Sequence, residues 1–163
     1  MLWFIPQIKN IIYVKIEFDD HAIGKQAYSY KHKDGSFAAE LANARTFCQL
    51  RDVELKQNAG LALGGSLNNA IVVNDGKILN EGGLRVEREF VRHKVLDCLG
   101  DLFLIGMPIK AKMTVERPGH ALSTKLVQSL LNDTTAYKVV ENCSEYSQST
   151  SFAMPEHAAA AMA

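Results

Sequence analysis

The sequence has 163 residues, of which 47% are hydrophobic and 22% charged, and its 18 basic residues balance its 18 acidic residues. This length suits one domain with a sizeable core, and a chain without net charge has no global field to attract nucleic acid or an anionic membrane. Three widely spaced cysteines (Cys48, Cys98 and Cys143) without a CxxC motif indicate reduced thiols in a cytoplasmic protein rather than a disulfide framework.

The N-terminal segment, MLWFIPQIKNIIYVKIEF, is apolar, but no basic residue precedes the apolar run, and Pro6, Lys9 and Asn10 interrupt it. It also lacks a small-residue cleavage site. We therefore predict neither a signal peptide nor a transmembrane segment. A chain that opens on Trp-Phe-Ile and runs into a strand is more typical of an element cut from a larger sheet, and residues 1–13 stay unassigned.

Strand and helix signals alternate along the chain. Ile, Val and Tyr predict a strand over Ile11–Phe18, and a second short strand is predicted at Tyr28–His32. Alanines, leucines and an aromatic residue at helical spacing then predict one helix from Ser36 to about Asn58. The stretch NAIVVNDGKILN predicts a hairpin around an Asn-Asp-Gly turn.

The second half of the chain continues the alternation. A helix that begins near Glu89 should end near Gly106, a strand should cover Ala111–Val115, and a last helix should follow Gly119. Residues 141–163 are Ser-rich and then Ala-rich, and we predict a mostly disordered tail there. The alternation favours an α/β (α+β) two-layer sandwich, with one main sheet packed on helices.

The stretch EFVRHKVLDCLGD carries a polar stripe on an otherwise apolar helix. Every fourth residue of an α-helix drifts only about 40° around the axis, so His93, Asp97 and Asp101 share one narrow face, with Lys94 at its edge. A histidine and an aspartate one turn apart can form a surface ion pair. They can also direct a nitrogen and an oxygen at one metal ion, although a catalytic zinc normally takes three protein ligands.

A further histidine, His120, follows a Pro-Gly break at the predicted start of the last helix. One interpretation is a helix N-terminal residue with local hydrogen bonds. The other is a proton donor or oxyanion stabiliser, whose imidazolium needs a nearby carboxylate. Asp101 lies on the same stripe as the potential metal ligands and could supply that carboxylate.

Four segments, taken in order, carry a family resemblance: ARTFCQLRDVE, GLALGGSLNNAIVV, LNEGGLRVEREFVRHKVLDCLGDL and GHAL. Together they resemble the second domain of the UDP-3-O-acyl-N-acetylglucosamine deacetylases, which catalyse the committed step of lipid A synthesis in Gram-negative bacteria. The resemblance runs over residues 14–140. It implies a two-layer sandwich with a small βαβ-like insert near residues 18–45, where Ile23 would line a passage for the substrate's acyl chain.

The resemblance also implies a role for each residue of the stripe. His93 and Asp97 would bind Zn²⁺, and His120 would act as general acid or oxyanion stabiliser. Asp101 would orient that histidine, and Lys94 would line the site for the UDP-sugar acyl substrate. These roles agree with the chemistry that a bound zinc ion, a general base and a cationic histidine can perform together.

Members of this family are about twice as long, and the resemblance implies that their first domain is missing here. That domain carries the third zinc ligand, a histidine, and a glutamate that acts as general base. His21, His32 and the Glu156-His157 pair are the other candidates in this sequence, and no motif supports them. Two hypotheses follow: a zinc hydrolase that lacks its first domain, or a non-catalytic remnant. Either would expose a helical face that expects a separate N-terminal domain or self-association.

Overall fold

The computed structural model describes residues 2–6, 11–61 and 63–140, with side chains from residue 11 onward. The elements in chain order are strands and helices with these bounds: β1 Leu2–Pro6, β2 Ile11–Glu17, β3 Lys25–Lys31, α1 Ser36–Glu40, β4 Thr46–Gln49, α2 Leu50–Asn58, β5 Ala70–Asn74, β6 Lys77–Ile78, α3 Glu89–Leu102, a 3₁₀ turn Phe103–Ile105, β7 Ala111–Glu116 and α4 His120–Asn132. The predicted tail and the Glu156-His157 pair lie outside the described residues.

Among the described residues, the main sheet has four strands in the order β1-β7-β2-β3. Strand β7 is antiparallel to β1 and parallel to β2, and β2 is antiparallel to β3. Alternate residues of β2 point to the helical layer, which is why Ile12, Val14 and Ile16 are buried while their neighbours are not. This layering confirms the predicted α+β sandwich.

Helix α3 packs across β2 and β3, and α4 packs beside α3. The apolar face of α3 buries Phe90, Val91 and Val95 completely. These side chains join residues of both sheets in one core cluster: Ile12, Val14, Ile16, Ile23, Tyr30, Leu41, Ile71, Val73, Phe90, Val91, Val95, Cys98, Met113 and Val115. The opposite, polar side of α3 is therefore the side that the stripe occupies.

A second, smaller sheet corrects two of our predictions. Its strand order is β4-β5-β6, and β4 is parallel to β5 with α2 as the crossover. The βαβ unit therefore spans residues 46–74 and not the region near residues 18–45. The helix predicted from Ser36 to Asn58 is also wrong, because β4 separates α1 from α2. Pairing with the buried strand β5 overrides the local helical pattern there.

Two further differences concern the chain start and Ile23. Residues 1–13 were left unassigned, but β1 and the start of β2 are strands of the main sheet. Ile23 is buried in the core, with 4% of its surface exposed, so it lines no open passage. The predicted hairpin is confirmed: Asp75 and Gly76 both have positive φ, as the tight turn between β5 and β6 requires.

Candidate functional site

The polar stripe of α3 places His93 and Asp97 in direct contact. Nε2 of His93 lies 3.2 Å from Oδ1 of Asp97, and the two side chains are 13% and 16% exposed. The other carboxylate oxygen, Oδ2, accepts a hydrogen bond from Nζ of Lys94 at 2.8 Å. The spacing in the sequence therefore brings all three predicted residues together at one point of the helix surface.

The backbone before β4 fixes the protonation pattern of the His93 ring. Nδ1 of His93 lies 3.2 Å from the carbonyl oxygen of Ala44. A carbonyl oxygen only accepts, so Nδ1–H is the donor, and in the neutral ring Nε2 presents its lone pair. That lone pair faces a carboxylate oxygen of Asp97. Two acceptor atoms at this distance repel each other unless a proton or a metal cation lies between them.

The surroundings of His93 disfavour a proton between its Nε2 and the Asp97 carboxylate. Burial lowers the pKa of the His93 imidazole below its ordinary value, and the positive charges of Lys94 and His120 lower it further, against the opposing effect of Asp97 and of the Ala44 carbonyl. A neutral imidazole is the form that binds metal. The electrostatics thus leave the pair better suited to a metal cation than to a shared proton.

The donor geometry fits zinc. Two ligands held 2.0–2.2 Å from a tetrahedral zinc ion lie about 3.3–3.6 Å apart, slightly more than the 3.2 Å between Nε2 of His93 and Oδ1 of Asp97. The Nδ1–H bond to a backbone carbonyl is a usual support of a zinc-binding histidine. Within the described ranges, however, no group of three or more His, Cys, Asp and Glu side chains could hold a metal ion. The described residues thus offer two candidate ligands.

The second pair joins α3 to the start of α4. Nδ1 of His120 lies 2.9 Å from Oδ1 and 3.1 Å from Oδ2 of Asp101. Because an ionised carboxylate only accepts, the ring donates from Nδ1 and leaves Nε2 available. The imidazole is 71% exposed, whereas Asp101 is 16% exposed. The structure thus brings together all five sequence-predicted site residues on the helical layer.

Cys98 stays outside this site, as its position on the helix predicts. It is buried, and burial raises the pKa of its thiol to about 12, which keeps it protonated. A protonated thiol is a poor zinc ligand. His21 and His32, the other candidate ligands, lie far from the stripe in sequence, and neither takes part in a metal-holding group among the residues described.

Sequence reasoning missed several groups that support the site. The ring of Phe47 lies against both His93, at 6.2 Å between ring centroids, and the Lys94 ammonium, at 5.4 Å. The Ala44 carbonyl and the buried Glu89 were also missed. Glu89 precedes His93 by four residues, so the four-residue repeat of the stripe extends to it, and that spacing was the available signal.

These features define an α+β sandwich domain with a candidate metal and acid–base site on its helical layer. The comparisons with known proteins specify the family. The model of the UDP-3-O-acyl N-acetylglycosamine deacetylase family matches residues 1–132, and the chain belongs to this family. The match begins at residue 1 and so includes the segment that we had left unassigned.

Individual relatives agree. Three proteins named UDP-3-O-acyl-N-acetylglucosamine deacetylase are similar to this chain. The one from Anaeromyxobacter sp. is 47% identical over 129 residues, which are 79% of this chain and 42% of the relative. Those from Campylobacter fetus and Myxococcus xanthus are 46% and 48% identical over 125 residues, 77% of this chain and 42% and 40% of the relatives. The chain thus spans about two fifths of their length.

Proposed function

We propose that this chain supplies one half of the active site of a zinc-dependent amidohydrolase that removes the N-acetyl group from UDP-3-O-acyl-N-acetylglucosamine in lipid A biosynthesis. The observation that carries the proposal is the contact of His93 and Asp97, whose facing acceptor atoms need a cation between them. Membership of the deacetylase family supplies the substrate and the reaction type. The free thiols of Cys48 and Cys98 suit a cytoplasmic location.

The residues of the stripe would divide the chemistry between them. His93 and Asp97 would hold the zinc ion, which when bound lowers the pKa of a water ligand and polarises the acetamide carbonyl. Nε2 of His120 would donate a hydrogen bond to the developing oxyanion and then a proton to the leaving amine. Asp101 holds the opposite ring nitrogen, so it fixes the direction in which that proton is presented.

Lys94 would contribute positive charge on the substrate side. Its ammonium group donates a hydrogen bond to the Asp97 carboxylate and lies over the Phe47 ring, so the lysine is held at the edge of the proposed zinc ligands. A fixed cation there can attract an anionic substrate such as a UDP-sugar and can bind an oxygen on which negative charge develops. Because these partners lie within this chain, the position of Lys94 does not depend on a second domain.

The third ligand and the base would come from elsewhere. The described residues offer two ligands on α3, and zinc sites in hydrolases take three from protein and leave one position for water. By the family resemblance, the N-terminal domain of the relatives carries the missing histidine and a glutamate. We therefore propose that the chain works together with such a domain.

Exposed apolar residues mark where that domain would dock. The 3₁₀ turn after α3 and the loop that follows it present Phe103, Leu104 and Met107, which are 80%, 65% and 45% exposed. Phe103 lies two residues after Asp101 in the chain, so a domain that covers these side chains would also reach the stripe. An apolar patch beside a polar site is typical of a protein interface.

The alternative is a non-catalytic remnant that binds metal weakly or does not bind it. One experiment separates the two. The purified chain is assayed for deacetylation of UDP-3-O-acyl-N-acetylglucosamine with zinc, alone and after mixing with the N-terminal domain of the Anaeromyxobacter relative. We expect turnover in the mixture and none with either part alone. A mixture that forms a complex but shows no turnover would identify the chain as a remnant.

A further inference from the structure

One peptide group links two side chains on successive turns of α3. It is the peptide between Ala44 and Arg45, at the start of the segment leading into β4. Its N–H donates to Oε1 of Glu89 at 2.9 Å. Its carbonyl oxygen accepts from Nδ1 of His93 at 3.2 Å. The N–H and C=O of a trans peptide point in opposite directions, so a single planar group bridges the turn from Glu89 to His93.

Glu89 is held from several sides. Its carboxylate is completely buried and accepts from the Arg45 side chain through Nε at 2.8 Å and Nη2 at 3.1 Å. It also accepts from the backbone N–H of Arg85 at 2.6 Å. The Arg45 guanidinium, itself 7% exposed, donates further to the carbonyl of Gly83. Because all of these hydrogen bonds hold the carboxylate, the carboxylate in turn holds the Ala44–Arg45 peptide in place.

The chemistry of this arrangement extends beyond packing. A charged acceptor at the N–H end of a peptide polarises it and makes its carbonyl oxygen a stronger acceptor, since linked hydrogen bonds reinforce each other. That stronger acceptor faces Nδ1–H of His93. Metal-binding histidines commonly donate a hydrogen bond from their second ring N–H directly to a carboxylate. Here the carboxylate acts through one intervening peptide.

We infer that Glu89 and Arg45 are positioning residues that hold His93 in the tautomer with the proton on Nδ1 and the Nε2 lone pair directed at Asp97. The use of that lone pair for zinc rests on the proposed function. The tautomer itself is a property of this chain and is measured without metal or substrate. The two claims can therefore fail separately.

A purely structural role of Glu89 and Arg45 would give a different result in a measurement of the His93 tautomer. Glu89 and Arg45 also join the first turn of α3 to the segment before β4, and an anchor of that kind would affect stability without changing which ring nitrogen of His93 carries the proton. The tautomer therefore separates positioning from anchoring. Nitrogen-15 NMR distinguishes a protonated from an unprotonated ring nitrogen through their widely separated shifts.

The test uses the ¹⁵N-labelled chain at mildly alkaline pH, with long-range ¹H–¹⁵N correlation of the His93 ring. We expect the wild-type ring to carry its proton on Nδ1 and Glu89→Gln to shift it towards a mixture of the two tautomers. Glu87→Gln is the matched control, because the Glu87 side chain is 81% exposed. A wild-type proton on Nε2, or an unchanged tautomer in folded Glu89→Gln, would overturn the inference.

A second measurement needs no variant, in case Glu89→Gln does not fold. Zinc is added to the wild-type chain while the backbone amide of Arg45 is followed. A cation on Nε2 makes Nδ1–H a stronger donor to the Ala44 carbonyl, and we expect the Arg45 amide resonance to shift together with the His93 ring. If zinc shifts the resonances of the His93 ring but not that of the Arg45 amide, the inferred link through the Ala44–Arg45 peptide is contradicted. If the ring itself does not respond, the two ligands of this chain do not hold zinc without a third, and the wild-type tautomer still decides the inference.

Discussion

Asp101 and His120 lie on different helices, and their side chains meet at 2.9 Å between Oδ1 and Nδ1. The carboxylate is largely covered, whereas the imidazole is mostly exposed. Thr124 adds a hydrogen bond from its hydroxyl to the backbone carbonyl of His120. A ring held from one side by a fixed acceptor presents its other nitrogen in one direction. That is the arrangement expected for a general acid.

Replacing His120 should therefore affect turnover more than metal content. In the complex with an N-terminal domain, His120→Gln should lower kcat by about 10²–10⁴-fold, since a positioned acid contributes about this much to rate. Zinc content should not change, because Nδ1 is bonded to Asp101 and the ring is not one of the proposed ligands. Steady-state kinetics and metal analysis of the same samples check this. His32→Gln, at an exposed histidine, is the control, and loss of zinc from His120→Gln would contradict the assignment.

Removing one partner of the buried ion pair of Arg45 and Glu89 should destabilise the fold strongly, because it leaves the other charge buried and unpaired. The two side chains are 7% and 0% exposed, and breaking a buried pair by removing one partner typically costs about 3–5 kcal/mol. We expect Arg45→Met to lower the free energy of unfolding by about this amount in urea denaturation. Arg51→Met is the control, because Arg51 is 77% exposed and should change stability by less than about 0.5 kcal/mol. If the two substitutions lowered the free energy of unfolding equally, the expected contribution of the buried pair would be contradicted.

Glu89 should also make the stability depend on pH. Burial alone would raise the pKa of its carboxyl, but hydrogen bonds from the Arg45 side chain and from the backbone N–H groups of Arg45 and Arg85 hold the pKa below the ordinary 4.5. The unfolded chain therefore binds a proton at higher pH than the folded chain. The stabilisation is complete above pH 4.5 and is lost as the pH falls through the lower, folded pKa.

Urea denaturation at neutral and acidic pH measures this dependence. The wild-type chain should lose stability below the ordinary glutamate pKa. Glu89→Gln should reduce the slope of the free energy of unfolding against pH, since it removes the titrating group. Glu87→Gln, at a side chain that is 81% exposed, should keep the wild-type slope. A Glu89→Gln slope equal to that of the wild type would show that this carboxyl does not dominate the acid sensitivity.

The exposed apolar residues of the 3₁₀ turn after α3 should make the isolated chain self-associate. Phe103 and Leu104 are 80% and 65% exposed, and apolar surface of this kind favours association. We expect concentration-dependent sedimentation and binding of a hydrophobic dye, both reduced by Phe103→Ser. Leu131→Ser, at a residue 46% exposed on α4, is the control. A compact monomer that binds no dye would contradict the prediction.

The sequence predicted the parts of the fold that local pattern controls. Helix α3 and the helix after Gly119 follow from apolar periodicity and Gly-Pro boundaries, and the β5–β6 hairpin follows from its Asn-Asp-Gly turn. The stripe residues lie together because they share one helix face. The contact between Asp101 and His120 joins two elements: the stripe made Asp101 a candidate partner, and the family resemblance specified the pair.

What the sequence did not predict depends on contacts between distant segments. Strand β4 forms because Thr46–Gln49 pairs with Ala70–Val73, although the residues before and after it have helical spacing. Strand β1 exists through its pairing with β7, near the other end of the domain. Glu89 reads as an ordinary first-turn glutamate of a helix. Only the approach of the Ala44–Arg45 peptide makes it a support of His93.

The zinc content of the complex between this chain and an N-terminal domain tests the central claim most directly. The complexes of the wild-type chain, His93→Ala and Asp97→Ala are purified, dialysed against buffer without chelator and analysed by atomic emission, with His21→Ala as the control. We predict one zinc ion per wild-type and His21→Ala complex, and its loss from His93→Ala and Asp97→Ala. Zinc retained at the wild-type level by both of these variants would show that the stripe of α3 does not hold the metal.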